Sequence, residues 1–340
     1  MDKLCVLVIL AALALGVFGC SSNNPASSPA TVTDQQAVTQ MVTSIDSVSQ
    51  FLSSEEATIN DGGLQLVDAG GVEVPGAVRS AERPSGINTT DSVVEWGRVV
   101  FPAQIVRDYN VLVIGDTIAI VTITKHVPGQ FLVAWGIRPV PPTDSVIVDT
   151  VIRKSFTEVM SRKVQLKRIA HTDNPLMNWV PTAMTFVASK TAGSITFGID
   201  SLEISDNRTS FDSTYSNPLQ TWFRFGRYRE SIPIFHVGDT VLVRLTVSGS
   251  DSLPEIVALH HSVLGSASLP VRLRMFLVSQ SGGPGNYTRV FQRRFVAWLP
   301  PAVLVARFNA LADVFPRRCI YSQTAAFENE FWGLPYIVTQ

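Results

Sequence analysis

The residues best suited to recognition chemistry lie in Trp222-Phe223-Arg224-Phe225-Gly226-Arg227-Tyr228-Arg229. Side chains of a strand alternate between faces, so Trp222 and Arg224 are expected on one face and Phe223 and Phe225 on the other. Exposed aromatics beside arginine can stack on sugar rings or anchor a partner protein. Trp222, Arg224, Arg227, Tyr228 and Arg229 are therefore the candidate binding residues. His260 and His261 are adjacent, which on a strand sends them to opposite faces and prevents joint chelation of one metal. Asp200, Glu203, Asp206 and Asp212 offer the oxygens that calcium takes, but their spacing matches no calcium loop and reads as a solvated acidic segment. The chain has no G-x-S-x-G elbow, no P-loop, no H-E-x-x-H and no pair of C-x-x-C motifs. No catalytic residue, metal ligand set or cofactor is assigned, and an enzyme with a dispersed site stands as an alternative reading.

The whole chain bounds these candidates. It has 340 residues, 46% of them hydrophobic and 16% charged, against roughly a quarter charged in an average soluble protein. That composition excludes a disordered chain, and the formal net charge of −1 gives no field to steer nucleic acid. The near-zero balance conceals a gradient. Residues 21–110 hold 4 Lys and Arg against 11 Asp and Glu, whereas residues 221–340 hold 12 Arg, no Lys and 7 Asp and Glu. Such asymmetry can mark a face for anionic glycan or lipid headgroups, or let two parts of the chain attract one another.

Leu4 to Gly16 is almost unbroken apolar sequence, shorter than the roughly 20 residues a transmembrane helix needs. It ends in Leu15-Gly16-Val17-Phe18-Gly19-Cys20, followed by Ser21-Ser22-Asn23-Asn24-Pro25. This resembles the bacterial lipoprotein signal, in which a small residue precedes the cysteine that receives the lipid; Phe18 is bulkier than the usual residue at its place. The resemblance implies that residues 1–19 are a signal peptide and that Cys20 is acylated, with membrane lipid as its partner. Residues 20–33 then form a tether in the cell envelope, and Ser21, where an Asp commonly retains lipoproteins at the inner membrane, favours the outer membrane. Cys319 would be the one thiol left, so no intrachain disulfide can form. Arg317 and Arg318 could lower its pKa, although a half-buried small residue is the plainer reading.

Asp34 can cap a helix whose apolar residues Val38, Met41, Val42, Ile45, Val48 and Leu52 recur at spacings of mostly three and four. Strand-period sequence follows: Ser92 to Phe101, Val111 to Thr124, Phe131 to Trp135, Ser145 to Ile152 and Val164 to Ile169, divided by Pro128-Gly129 and Pro139 to Pro142. A small α+β domain with one amphipathic helix is expected over residues 34–170. Its weakest part is Gly62 to Asp91, a long stretch dense in Gly and Pro. The polar cluster His171 to Pro175 reads as a domain boundary.

Residues 176–340 read as an antiparallel β-sandwich. Val241, Val243, Leu245 and Val247 alternate with Leu242, Arg244 and Thr246, and Val271, Leu273, Met275 and Leu277 with Arg272, Arg274 and Phe276. One face of each run is expected to be buried. Ile114-Gly115-Asp116-Thr117 and Val237-Gly238-Asp239-Thr240 each place a Gly-Asp turn before a β-branched strand. Such strand openings resemble those of Ig-like and other extracytoplasmic β modules, so the second domain is expected to be Ig-like. The apolar stretch Phe327 to Val338 is expected to be docked, with Trp332 closing the core. The fold class is thus mainly β. The expected function is a membrane-anchored extracytoplasmic lipoprotein acting as a non-catalytic binding or structural module, with an envelope protein or glycan as partner. The alternative is a carbohydrate- or peptidoglycan-binding lipoprotein using the aromatic and Arg surface.

Overall fold

The computed structural model describes residues 33–44, 46–63, 65–66, 92–137, 147–191, 193, 196–206, 212–224, 231–261 and 271–340. Cys20, the tether, Arg227, Tyr228, Arg229 and most of the Gly62 to Asp91 stretch lie outside these residues. Asp34 to Gln340 forms one compact unit, and it is mainly β. Helices α1 (Asp34–Ser44) and α2 (Asp46–Thr58) open it. Two helices thus stand where one is expected, and the second ends at Thr58, before the turn sequence that starts at Asn60. The strands are β1 (Gln65–Leu66), β2 (Ser92–Val100), β3 (Val106–Ile114), β4 (Ile118–Ile137), β5 (Ile147–Arg168), β6 (Trp179–Thr185), β7 (Val187–Thr191), β8 (Phe197–Asp206) and β9 (Asp212–Tyr215). They continue as β10 (Trp222–Arg224), β11 (Ile234–His236), β12 (Thr240–Gly249), β13 (Ile256–His261), β14 (Val271–Arg274), β15 (Phe276–Gly283), β16 (Asn286–Val296), β17 (Val305–Phe315) and β18 (Glu330–Thr339), with the short helix α3 (Arg318–Tyr321) before the last. Among the described residues, no helix is long and apolar enough to cross a membrane.

The larger sheet runs β1-β2-β4-β5-β7-β18-β17-β13-β14, with β3 on β4, β6 on β5, β10 on β6 and β11 on β18. The smaller is β15-β16-β12-β8-β9. The β11 pairing with β18 is parallel, and the others are antiparallel. The turn at His171 to Pro175 joins β5 to β6, which pair with each other in one sheet. That sheet continues through β7 to β18. The two strand-rich blocks thus share a sheet across the expected boundary.

Strands β4 and β5 pair along nearly their whole length, although Pro128-Gly129 was expected to divide β4. A proline lacks the N–H a central strand must donate. Pro128 O accepts from Phe101 N (3.0 Å), so the missing donor points to the side where the neighbour of β4 changes from β3, whose pairing reaches His126, to β2, whose pairing begins at Gly129. Pro335 in β18 repeats this solution, between the segments covered by β7, up to Gly333, and by β11, from Ile337. Gly129 is required for another reason. A Cβ there would meet Phe156 Cζ at 2.5 Å and Val99 O at 2.7 Å.

The β3–β4 hairpin turns through Gly115 (φ 55°), Asp116 (φ 57°) and Thr117, between the paired Ile114 and Ile118, and its two left-handed positions fall on a glycine and an aspartate, residue types that adopt that region. Asp239 is also a turn residue, accepting from His236 N at 2.6 Å. The β12 alternation holds, because Val241, Val243, Leu245 and Val247 are buried. In the 271–277 run Arg272, Leu273 and Arg274 are all half-buried, and the expected alternation ends at Met275. That buried residue donates its N–H to Val257 O (2.8 Å) beside β13, after which Phe276 pairs with Gln292 of β16. One run of chain thereby leaves the larger sheet for the smaller, and Leu277 becomes exposed. Phe327 to Val338 is docked: β18 lies between β17 and β7, and Trp332 is buried in the main core.

Val243, Leu245, Phe291 and Phe295 of the smaller sheet meet Leu259, Phe308 and Tyr336 of the larger in one hydrophobic core. The other side of the larger sheet curls toward itself, so that Arg272 Nη1 on β14 donates to Trp96 O on β2 at 2.8 Å. Inside this curl a second core holds Trp96, Phe131, Phe156, Phe315 and Phe327, with Phe131 stacked on Phe327 at 4.3 Å.

Candidate functional site

The densest ionisable cluster lies inside the curl. On β5 the inward positions run Lys154, Phe156, Glu158, Met160, Arg162 and Val164, so charges occupy places that period-two sequence reserves for apolar side chains. Arg98 Nη1 on β2 binds Glu158 Oε1 at 2.9 Å, and its Nη2 reaches Asp313 Oδ2 on β17 at 3.1 Å. Asn329 donates through Nδ2 to Glu158 Oε1 and to Asp313 Oδ1, the latter at 3.0 Å. His260 Nε2 lies 3.3 Å from Arg98 Nη2. His260 Nε2 also lies 3.6 Å from Asp313 Oδ2, and its Nδ1 faces Asp61 Oδ1 at 3.7 Å. Asp61 Oδ2 accepts from Arg98 N (2.8 Å) and Arg272 Nη1 (3.2 Å).

Burial pushes the Glu158 carboxyl up to about 7, with Arg98 opposing and Asp313 adding to the rise. Burial acts on Asp313 in the same sense, yet Arg98 and His260 hold it below its ordinary value. A carboxyl near neutrality, a second carboxylate and an imidazole have the composition of an acid–base set. Their side chains are buried to within 1% of full enclosure, however, and every group named is engaged with another. The arrangement ties β2, β5, β13, β17 and the segment around Asp61 together across the curl.

A second cluster fixes α2. Glu55 on α2 binds Arg162 Nη1 (2.5 Å) and Lys125 Nζ (3.1 Å). Arg162 Nη2 donates to Asn309 Oδ1 (2.8 Å), whose Nδ2 reaches Phe51 O (2.9 Å) and Ser54 Oγ (2.7 Å). The inward cations of β4 and β5 and an amide of β17 thus receive one turn of α2. At the far end of β5, Lys154 Nζ donates to Cys319 O (2.7 Å) and Ser322 O (2.5 Å), a cation at the carbonyl end of α3.

The residues singled out in the sequence fall elsewhere. Trp222 is half-buried and Arg224 exposed, both on one face of β10, while Phe223 on the other is in the core. His260 and His261 do face opposite ways. His261 stacks on Phe295 with centroids 4.8 Å apart, and burial, helped by His260, lowers it to about 4. Cys319 is fully buried, and burial pushes its thiol up to about 11. Arg318 turns to Asp251 (2.8 Å) and Glu328 (2.6 Å). The thiol is inert rather than activated.

An open groove of about 640 Å³ lies between α1 and β3, lined by Gln35, Gln36, Thr39, Gln40, Thr43, Tyr109, Asn110 and Val111. Apart from Val111 and the Tyr109 ring, the lining is amide and hydroxyl, without a charge. Thr39 and Thr43 bond back to the carbonyls of Gln35 and Gln40 at 2.9 Å, which sets their hydroxyls along the helix. Sequence reasoning missed this groove because its residues are ordinary for a solvated helix face. No family model, no curated protein and no solved structure matches the chain.

Proposed function

We propose that this chain is a bacterial lipoprotein, acylated at Cys20 and anchored in the outer membrane, whose folded part acts as a non-catalytic binding or structural module. The observation that carries the reading is the apolar stretch ending at Gly19-Cys20 before a Ser- and Asn-rich segment. The compact unit beginning at Asp34 supports it, as do the two ionic clusters, whose groups are engaged in joining strands and helices. Two acyl chains or more make such an anchor stable. Metabolic labelling with a fatty acid should mark the wild-type chain and not Cys20→Ala, and the variant should move to the soluble fraction. Equal labelling of both would refute the anchor.

A second reading is favoured by the uncharged groove, since amides, hydroxyls and one aromatic ring match the donors, acceptors and faces of a neutral sugar. A pull-down on peptidoglycan should retain the wild type. Gln40→Ala and Tyr109→Ala should weaken retention if the groove is the site, and Trp222→Ala if the β10 face is.

A further inference from the structure

The described chain starts beside an apolar end of the sheet. Asp34 is held by Arg168 Nη2 and by Trp179 Nε1 (3.1 Å), and Arg168 also binds Asp116 Oδ1 at 2.9 Å. Around this clamp stand five exposed apolar side chains: Leu112, Val113 and Ile114 at the end of β3, Ile169 just after β5, and Met177 just before β6. Ile169 and Met177 are 60% and 65% exposed, among the highest values for large apolar residues. They form one edge of the molecule. Ile114 pairs with Ile118, and Ile118 with Lys167. Arg168 N donates to Thr117 O (2.8 Å) and Ile169 N to Asn178 O (2.7 Å). The turn is built rather than loose, because Asn178 Oδ1 accepts from Thr172 N (2.7 Å) and Thr172 Oγ1 (2.8 Å), which fixes Met177 outward. Asp34 and Asp116 share the single cation Arg168, exposed Lys167 brings these four side chains to a balance of zero, and Asp173 in the same turn is exposed.

Clustered exposed apolar side chains mark a surface that another phase or partner covers. Thirteen peptide steps separate Cys20 from Thr33, a contour of no more than about 45 Å. A short leash holds the local concentration of its target high, so a weak apolar contact suffices. The opposite end of the same strands carries Ile137, Ile147 and Val148, also exposed. It lies a 22-residue strand away, roughly 70 Å of contour.

We infer that the edge formed by Leu112, Val113, Ile114, Ile169 and Met177 rests on the lipid surface that holds Cys20, setting the long strands upright with the Ile147 end pointing away. The occupant is the bilayer, because the chain leading from the acylated residue joins the folded unit at this edge. The inference deepens the anchoring reading and rests on it. Polarity-sensitive fluorophores placed through Met177→Cys and Ile147→Cys in the full acylated chain test it, since Cys20 is blocked by lipid and Cys319 is buried and protonated. In phosphatidylethanolamine and phosphatidylglycerol vesicles carrying doxyl lipid, the Met177 probe should be quenched several-fold more than the Ile147 probe. Ile114→Asn with Ile169→Asn, both exposed positions, should reduce that difference by half or more while far-UV circular dichroism stays unchanged. Equal quenching of the two probes in a chain whose Cys20 peptide shows the acyl mass would overturn the orientation alone. An unmodified Cys20 peptide would overturn the anchor as well. Shielding of the Met177 probe without vesicles, rising with protein concentration, would assign the edge to a second copy and overturn the inference.

Discussion

His260 and His261 are neighbours in sequence and occupy two different solvents. His260 faces the inside of the curled sheet, among Arg98, Asp313 and Asp61, where charge is matched by charge. His261 faces the smaller sheet, stacked on Phe295 in a hydrocarbon core. A doubly buried strand such as β13 thus divides two interiors with opposite rules. The hydrocarbon side is stabilised by apolar area removed from water. The curled side is stabilised only as long as each charge keeps its partner, because an orphaned buried ion costs more than the pair contributed.

The comparison can be broken first at Arg98. Arg98→Met strands Glu158 and Asp313, and thermal unfolding should show a loss of about 3–5 kcal/mol. Adding Glu158→Gln and Asp313→Asn should return much of it, as removal of a whole buried ionic set is often nearly neutral. If the triple variant is no more stable than the single, charge pairing is not what organises the curl. On the hydrocarbon side, Leu245→Ala should cost about 3 kcal/mol through lost burial and a residual cavity, and no charge reversal elsewhere should rescue it.

The pH profiles should differ in sign. Glu158 titrates at about 7 in the fold against an ordinary 4.5, so the fold keeps a proton that the unfolded chain gives up. That contribution is complete below pH 4.5 and is lost as pH rises through 7. His261 titrates at about 4 against 6.5. The stability that comes from keeping it neutral is complete above pH 6.5 and is lost as pH falls through 4. Each amounts to at most about 3.5 kcal/mol at 1.4 kcal/mol per pH unit. Denaturant titrations should show Glu158→Gln gaining on the wild type between pH 5 and 8, and His261→Phe gaining between pH 7 and 4.5. Flat differences would mean that the two interiors titrate alike. The smallest effect is expected at Pro128→Ala, within about 0.5 kcal/mol, since the restored N–H points to the gap between β2 and β3.

The hydrocarbon interior was legible in the sequence because period-two alternation announces it, as at Val241 to Val247, and the docking of Phe327 to Val338 was legible from its apolar density. The ionic interior was not. Its members, Asp61, Arg98, Glu158, His260, Asp313 and Asn329, are scattered along the chain, and each looks like a solvated residue until the topology brings them together. One signal was present: Lys154, Glu158 and Arg162 share the parity of Phe156, Met160 and Val164 and therefore had to be buried with them. The extent of β4 was hidden by Pro128, whose tolerance depends on a change of neighbour that only the sheet order reveals. The shared face of Trp222 and Arg224 was legible from strand alternation, while Arg227, Tyr228 and Arg229 lie outside the described residues. The groove beside α1 was not, because uncharged helix faces carry no signature.

Met275 has a mechanical consequence. The chain passes through it from the edge of one sheet to the edge of the other without a loop between, so β14 and β15 are two spans of a single cable stretched across a corner. Slack introduced in one span is handed to the other, and neither layer can be peeled off while its neighbour stays taut. Amide protons of Ala258 and Gln292, on different sheets, should therefore exchange through one common opening, as hinged panels do when they share a pin.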